Sequence, residues 1–208
     1  SRPGVLAPVL RTGAGEVRIP AAIAAPAIAV VDAPGVPLVN QQAALSFGYQ
    51  AFVGSSRVTL TKRIRVHSLV QDARTYTLSG GFRDPADQAL GAVTIRFSSS
   101  TVTVDPFDEA TVDVSLDVDP TRLPSWALDG GAGGGDGEAF RLQEFDGMVT
   151  LTSGSDRLSL PWHLLPRKAA DLALTASQLD LSGCRMPAVP PVGSPRSSRS
   201  EGPVRRTT

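Results

Sequence analysis

Two histidines, His67 and His163, and one cysteine, Cys184, are the residues of this 208-residue chain best suited to proton transfer, nucleophilic attack or metal ligation. A serine hydrolase needs a nucleophile, a base and an acid that orients the base. Neither Gly-x-Ser-x-Gly nor a helix-starting Gly-Thr-Ser occurs in the chain. His67 falls on the wet parity of the strand that carries Val66 and reads as a surface histidine. His163 follows Pro161-Trp162 at the end of the last strand and reads as an edge or loop residue. A single cysteine forms no internal disulfide, and two histidines with one cysteine make no cluster at metal-ligand spacing.

The other candidates fall to blander readings. Gly130 to Gly137 would need a lysine and a hydroxyl after it to cradle phosphate, and Glu138 follows instead. A calcium-binding repeat would need acids at fixed offsets in several copies, and there is one approximate copy. Asp113, Asp117 and Asp119 share one parity of a strand and read as its solvated face. Trp126 and Trp162 read as core rather than as a ligand platform. The sequence therefore assigns no catalytic, cofactor-binding or metal-ligating residue, and no cofactor is expected.

The elements that would position any site are short. Glycine and proline number 20 and 17, and they cut the chain into pieces. Basic and acidic residues are balanced at 20 each, which gives no excess positive charge to meet nucleic acid or an anionic membrane. The longest apolar run, Ala21 to Val31, is broken by Pro26 and is too short to span a bilayer. Ser1 to Arg11 carries no signal-peptide pattern.

From Ala43 to Leu165 the dominant period is two, the signature of strands with one apolar and one wet face. Val93 to Phe97 and Val112 to Val118 alternate strictly. Ser79-Gly80-Gly81, Asp84-Pro85, Asp105-Pro106, Asp119-Pro120, Asp146-Gly147 and Ser153 to Asp156 read as turns between strands. The expected fold is all-β, an antiparallel two-sheet sandwich of about seven strands over residues 43–166. Residues 148–152 and 157–163 read as a hairpin. The predicted core is Phe47, Leu60, Ile64, Val66, Leu78, Val93, Ile95, Phe97, Val112, Val114, Leu116, Val149, Leu151, Leu160 and Trp162. Around the sandwich, residues 1–28 are expected to pack poorly and residues 29–42 to form a linker. Residues 167–186 would begin an incomplete β unit. Residues 187–208 hold five prolines and no aromatic residue and are expected to be disordered.

The order of motifs carries a resemblance. Thr12-Gly13-Ala14-Gly15-Glu16-Val17-Arg18 with the alanine-rich stretch after it resembles the segment that closes the catalytic domain of subtilisin-like serine proteases. Ala44 to Gly48, Thr59 to Val66 and Val102 to Val104 resemble strands of the fibronectin type III-like domain that follows it in large secreted members. Leu142 to Leu151, with Glu144-Phe145-Asp146-Gly147-Met148 at its heart, and Leu160 to Ala169 resemble that domain's hairpin and its exit strand; Met148 stands where the family commonly has tyrosine. The resemblance implies a fibronectin type III-like sandwich that is the accessory, C-terminal part of a secreted serine endopeptidase. Its partners would be the catalytic domain of the same polypeptide and, through it, protein substrates, with no nucleic acid and no membrane. The catalytic residues would all precede Ser1, so none is carried onto this chain, which alone would be inactive. The implied location is extracellular. The alternative is a stand-alone extracellular β-sandwich binding module.

Overall fold

The computed structural model describes residues 7–124 and 144–169, all within the first of two compact units of the chain, Ser1–Asp171. Its described residues form nine strands: β1 Ala27–Val31, β2 Leu45–Val53, β3 Val58–Ser68, β4 Arg74–Phe82, β5 Val93–Phe97, β6 Thr101–Val104, β7 Glu109–Val118, β8 Phe145–Ser153 and β9 Asp156–Ala169. They form a four-stranded sheet in the order β1-β3-β7-β5 and a five-stranded sheet in the order β2-β9-β8-β4-β6. The fold is the all-β two-sheet sandwich that the alternation predicts. No helix among the described residues is long and apolar enough to cross a membrane.

The period-two pattern decides which side chains enter the core. In β7, Val112, Val114, Leu116 and Val118 are buried while Asp113, Ser115 and Asp117 face outward. Opposite them, Tyr76, Leu78, Val149, Leu151, Leu160 and Trp162 close the core from the five-stranded sheet. Of the fifteen predicted core residues, Leu60, Ile95 and Phe97 are only partly buried but pack against the cluster, and the others are buried.

Three features differ from the sequence reading. The sandwich begins at Ala27, inside the segment read as remnant and linker, because β1 pairs antiparallel with β3 from Ala27↔Ser68 to Val31↔Ile64. Pro34-Gly35 do not prevent this, since the strand ends before them. Residues 7–12 also pack: Val9 is buried. The strand β2 then lies parallel to β9, the one parallel pairing among the described strands. Its register shifts between Ser46 and Gly48, where Gly48 takes φ +67°, a value that suits glycine and makes the bulge.

Finally, Ser79-Gly80-Gly81 and Asp146-Gly147 are not turns. They lie inside β4 and β8 and pair with each other's strands, Gly81↔Met148 and Phe82↔Gly147. Glycine is there for close approach. A Cβ on Gly80 would lie 2.9 Å from Cγ2 of Ile95, and one on Gly147 would lie 2.0 Å from the carbonyl oxygen of Gly81.

Strand β9 also runs 14 residues through Pro161 and Pro166. It pairs with β8 over residues 156–164 and with β2 over residues 162–169. Each proline therefore falls where β9 has a strand on one side only, and its missing N–H breaks no ladder on the open side. The hairpin β8–β9 closes through Gly154-Ser155, tighter than the sequence suggests.

The glycine-rich segment 129–137, Trp126, Cys184, the β unit expected after Ala169 and the C-terminal tail lie outside the described residues.

Candidate binding cleft

Outward-facing residues of β4, β8 and β9 build the site, joined by Gly80, Phe82 and Gly147 from the core-facing register of β4 and β8. Segment 7–15 lies against this face and carries the helical turn α1, Val9–Thr12. Pro8 precedes that turn, and its carbonyl accepts from the Arg11 and Thr12 N–H groups. The buried N–H of Val9 donates to Oδ2 of Asp146 at 2.7 Å, a link across 137 residues.

Asp146 is fully buried, so its charge requires a partner. Arg83 supplies it. Its Nε lies 2.7 and 2.8 Å from the two carboxylate oxygens, and its backbone N–H donates to the Asp146 carbonyl at 2.9 Å. Two further ionisable groups crowd this pair. Burial pushes the Glu144 carboxyl above the ordinary carboxylate value, and the negative charge of Asp146 adds to the effect against Arg83 and Arg11. Burial pulls the His163 imidazole below its ordinary value, with Asp146 opposing. Oε1 of Glu144 and Nδ1 of His163 are buried without hydrogen-bond partners. The arrangement is one closed ion pair flanked by two groups held toward their neutral forms.

Beside this cluster opens a cleft of about 570 Å³. Gly80, Gly81 and Gly147 line it together with Phe82 and Met148, and Ala7, Val9 and Ala14 wall one side. The ring of Phe82 meets Trp162 edge to face, with centroids 5.1 Å apart. Nε1 of Trp162 donates to the Gly81 carbonyl at 3.1 Å, which ties the floor to the core. A side chain on Gly81 would meet nothing within 4 Å, so the glycine leaves open depth there. Ser79, Thr150 and Arg157 supply the polar lining. Among the described residues two guanidiniums, of Arg83 and Arg157, line the cleft, and no carboxylate does.

The structure does not bring the two histidines together. His67 faces outward on β3 as its parity predicts, but it is largely covered: its side chain is 19% accessible and stands 3.2 Å from Glu109. His163 is not at an edge. It sits in β9 between Ser46 of β2 and Asp146 of β8, in the one stretch where β9 has strands on both sides. Among the described residues neither histidine hydrogen-bonds to a hydroxyl, the contact that would activate a nucleophile.

Asp113, Asp117 and Asp119 do form a wet face, and arginines occupy the space a cation would take. Arg63 reaches Asp113 at 2.7 Å, Arg57 reaches Asp119 at 3.1 Å, and Arg96 pairs with Asp117. Hydrogen bonds from Arg63 to Asp113, from Thr59 to Asp117 and from Thr121 to Asp119 hold these carboxyls below the ordinary range. No group of three His, Cys, Asp or Glu residues among the described ones could hold a metal ion. Trp162 is core, with no exposed surface.

The sequence reading gave no role to Arg83 and Arg157 and took Gly81 and Asp146 for turn residues. The signal was present as two glycine-bearing breaks, 79–81 and 146–147, that a facing pair of strands would bring into register.

No family model and no curated protein matches the chain. Distant likeness to solved structures is found. A FixG-related protein from Vibrio parahaemolyticus is 16% identical over 68% of this chain and 96% of its own, with a TM-score of 0.39. The CooA pilin subunit from enterotoxigenic Escherichia coli is 14% identical over 68% of this chain and 99% of its own, at 0.35. The ASH/PapD-like domain of human CEP192 is 9% identical over 61% of this chain and 83% of its own, at 0.33. At these values the likeness assigns no function, and none of the three is a subtilisin-like protease.

Proposed function

We propose that this chain is a non-catalytic β-sandwich binding module whose ligand-receiving surface is the outer face of the five-stranded sheet. The observation that carries the reading is the cleft between segment 7–15 and strands β4 and β8. It is preformed, largely apolar, and floored by Gly80 and Gly147, which the packing of the sheet itself requires, and by Gly81, which leaves it open depth. A handful of polar groups gives it direction. Soaking crystals in isopropanol tests the assignment, because small alcohols collect in apolar clefts. Ordered alcohol in the cleft is expected. Alcohol ordered on the β3–β7 face, with the cleft filled only by water, would contradict it.

The resemblance to the fibronectin type III-like domain of subtilisin-like proteases proposes a setting for the module, as the accessory part of a longer secreted endopeptidase. The coding sequence upstream of Ser1 tests that setting. An in-frame Gly-Thr-Ser preceded by aspartate and histidine motifs supports it, and an upstream reading frame without them leaves the module standing alone.

A further inference from the structure

Resting on the binding-module reading, we propose that the cleft takes a single-chain amphiphilic carboxylate, its head at Arg157 and its alkyl chain along the glycine floor toward Phe82 and Val9. The charges in the lining do not cancel. Arg83 is already matched by the buried Asp146. Arg157 is exposed, and among the described residues it has no ion-pair partner and no acidic side chain lines the cleft. An anionic group is the complement.

The register gives the cleft two unlike ends. Ser79 pairs with Thr150, and Arg157 pairs with Thr152, so hydroxyls and guanidinium gather toward the β8–β9 turn. Two residues along β4, Gly81 faces Met148 and Phe82 faces Gly147, and the lining there is apolar apart from the matched Arg83. A ligand that is apolar at one end and anionic at the other satisfies both.

The floor also argues against an extended peptide. It is the face of three adjacent strands, and β8 is bonded on both sides, to β4 and to β9. A peptide laid on that face would leave its own N–H and C=O groups without ladder partners. An alkyl chain has none to satisfy. The volume lies within the span of small-molecule sites, about 300–1,000 Å³.

Calorimetric titration of the full chain with decanoate, below its micelle concentration, tests the proposal. Saturable binding with one site per chain is expected, with no saturable binding of decyltrimethylammonium. Arg157→Gln should weaken decanoate on the order of tenfold, the loss of one charge-assisted hydrogen bond, while Arg157→Lys keeps most of the affinity. Gly81→Leu should abolish binding at an unchanged Tm, and the Arg157 variants carry the test if that protein fails to fold. Equal binding of the two amphiphiles would overturn the proposal, as would indifference to Arg157→Gln. Tighter binding of a short acidic apolar peptide such as acetyl-Leu-Leu-Asp would assign the cleft to peptides instead. If isopropanol orders in the cleft but decanoate does not bind, the carboxylate assignment fails and the module reading stands.

Discussion

The two outer faces of the sandwich solve the same problem differently. On the four-stranded sheet, β3 and β7 meet in cross-strand polar rungs: Thr59 to Asp117 at 2.7 Å, Thr61 with Ser115 at 2.8 Å, Arg63 to Asp113 at 2.7 Å and Arg65 to Glu109 at 2.8 Å. Each rung finds a partner on the neighbouring strand, and the face is left uncovered, with Nε of Arg65 and Nε2 of His67 its buried atoms without a hydrogen bond. On the five-stranded sheet the outward residues include a fully buried aspartate, the buried Pro161 and the half-buried Met148. Segment 7–15 covers part of that face and leaves the rest as a cleft. One sheet covers its outer face largely with its own cross-strand pairs; the other buries a charge, exposes glycine and leaves a cleft.

The comparison is sharpest in the cost of removing one aspartate from each face. Asp146→Ala should destabilise by about 3–5 kcal/mol, because it removes the buried carboxylate that the Arg83 guanidinium and the Val9 N–H both bond. Urea denaturation measures it, and a loss under about 1 kcal/mol would show the pair to be solvated. Gly147→Ala should follow at about 1–3 kcal/mol or more, since the added carbon would meet the Gly81 carbonyl oxygen and push β4 from β8. Chemical shifts of residues 79–83 should move with it. If they do not, the close approach of the two strands is wrong.

Smaller effects separate Glu144 from His163. The raised Glu144 value contributes stability at low pH that is lost as pH rises from 4.5 through the folded value. The depressed His163 value contributes stability above 6.5 that is lost as pH falls through its own folded value. The two slopes oppose each other over the mildly acidic range. Melting temperatures between pH 4.5 and 6.5 should rise more steeply with pH in Glu144→Gln than in the parent, and less steeply in His163→Gln. Identical slopes in all three proteins would place both side chains in water. The smallest effect belongs to the finished face: Asp113→Asn should leave Tm within experimental scatter at physiological salt.

The sandwich was legible because its information is local. Alternation in Val112 to Val118 or Leu158 to Trp162 needs no knowledge of the partner strand to reveal which side chains go inward. β1 was hidden because Ala27-Ile28-Ala29-Val30-Val31 is apolar throughout and stands between prolines, so it lacks the period and carries the signs of a linker. The parallel β2–β9 pairing was hidden because strand direction is settled by long-range topology, not by residue pattern. The cleft was hidden for a deeper reason. A glycine that ends a strand and a glycine that lets two strands approach look the same in one dimension, and only the register Phe82↔Gly147 tells them apart. His163 was misplaced likewise, since Pro161 and Pro166 imply an edge until one sees that β9 changes partners between them.

The most direct test of the difference between the two faces is amide chemical-shift mapping with a mixed set of small apolar and anionic fragments on the 15N-labelled chain. Saturable shifts are expected at residues 79–83, 147–150 and 157, with β3 and β7 unmoved. Shifts centred on Thr59 to Arg65 and Thr111 to Asp117, with the cleft silent, would contradict it.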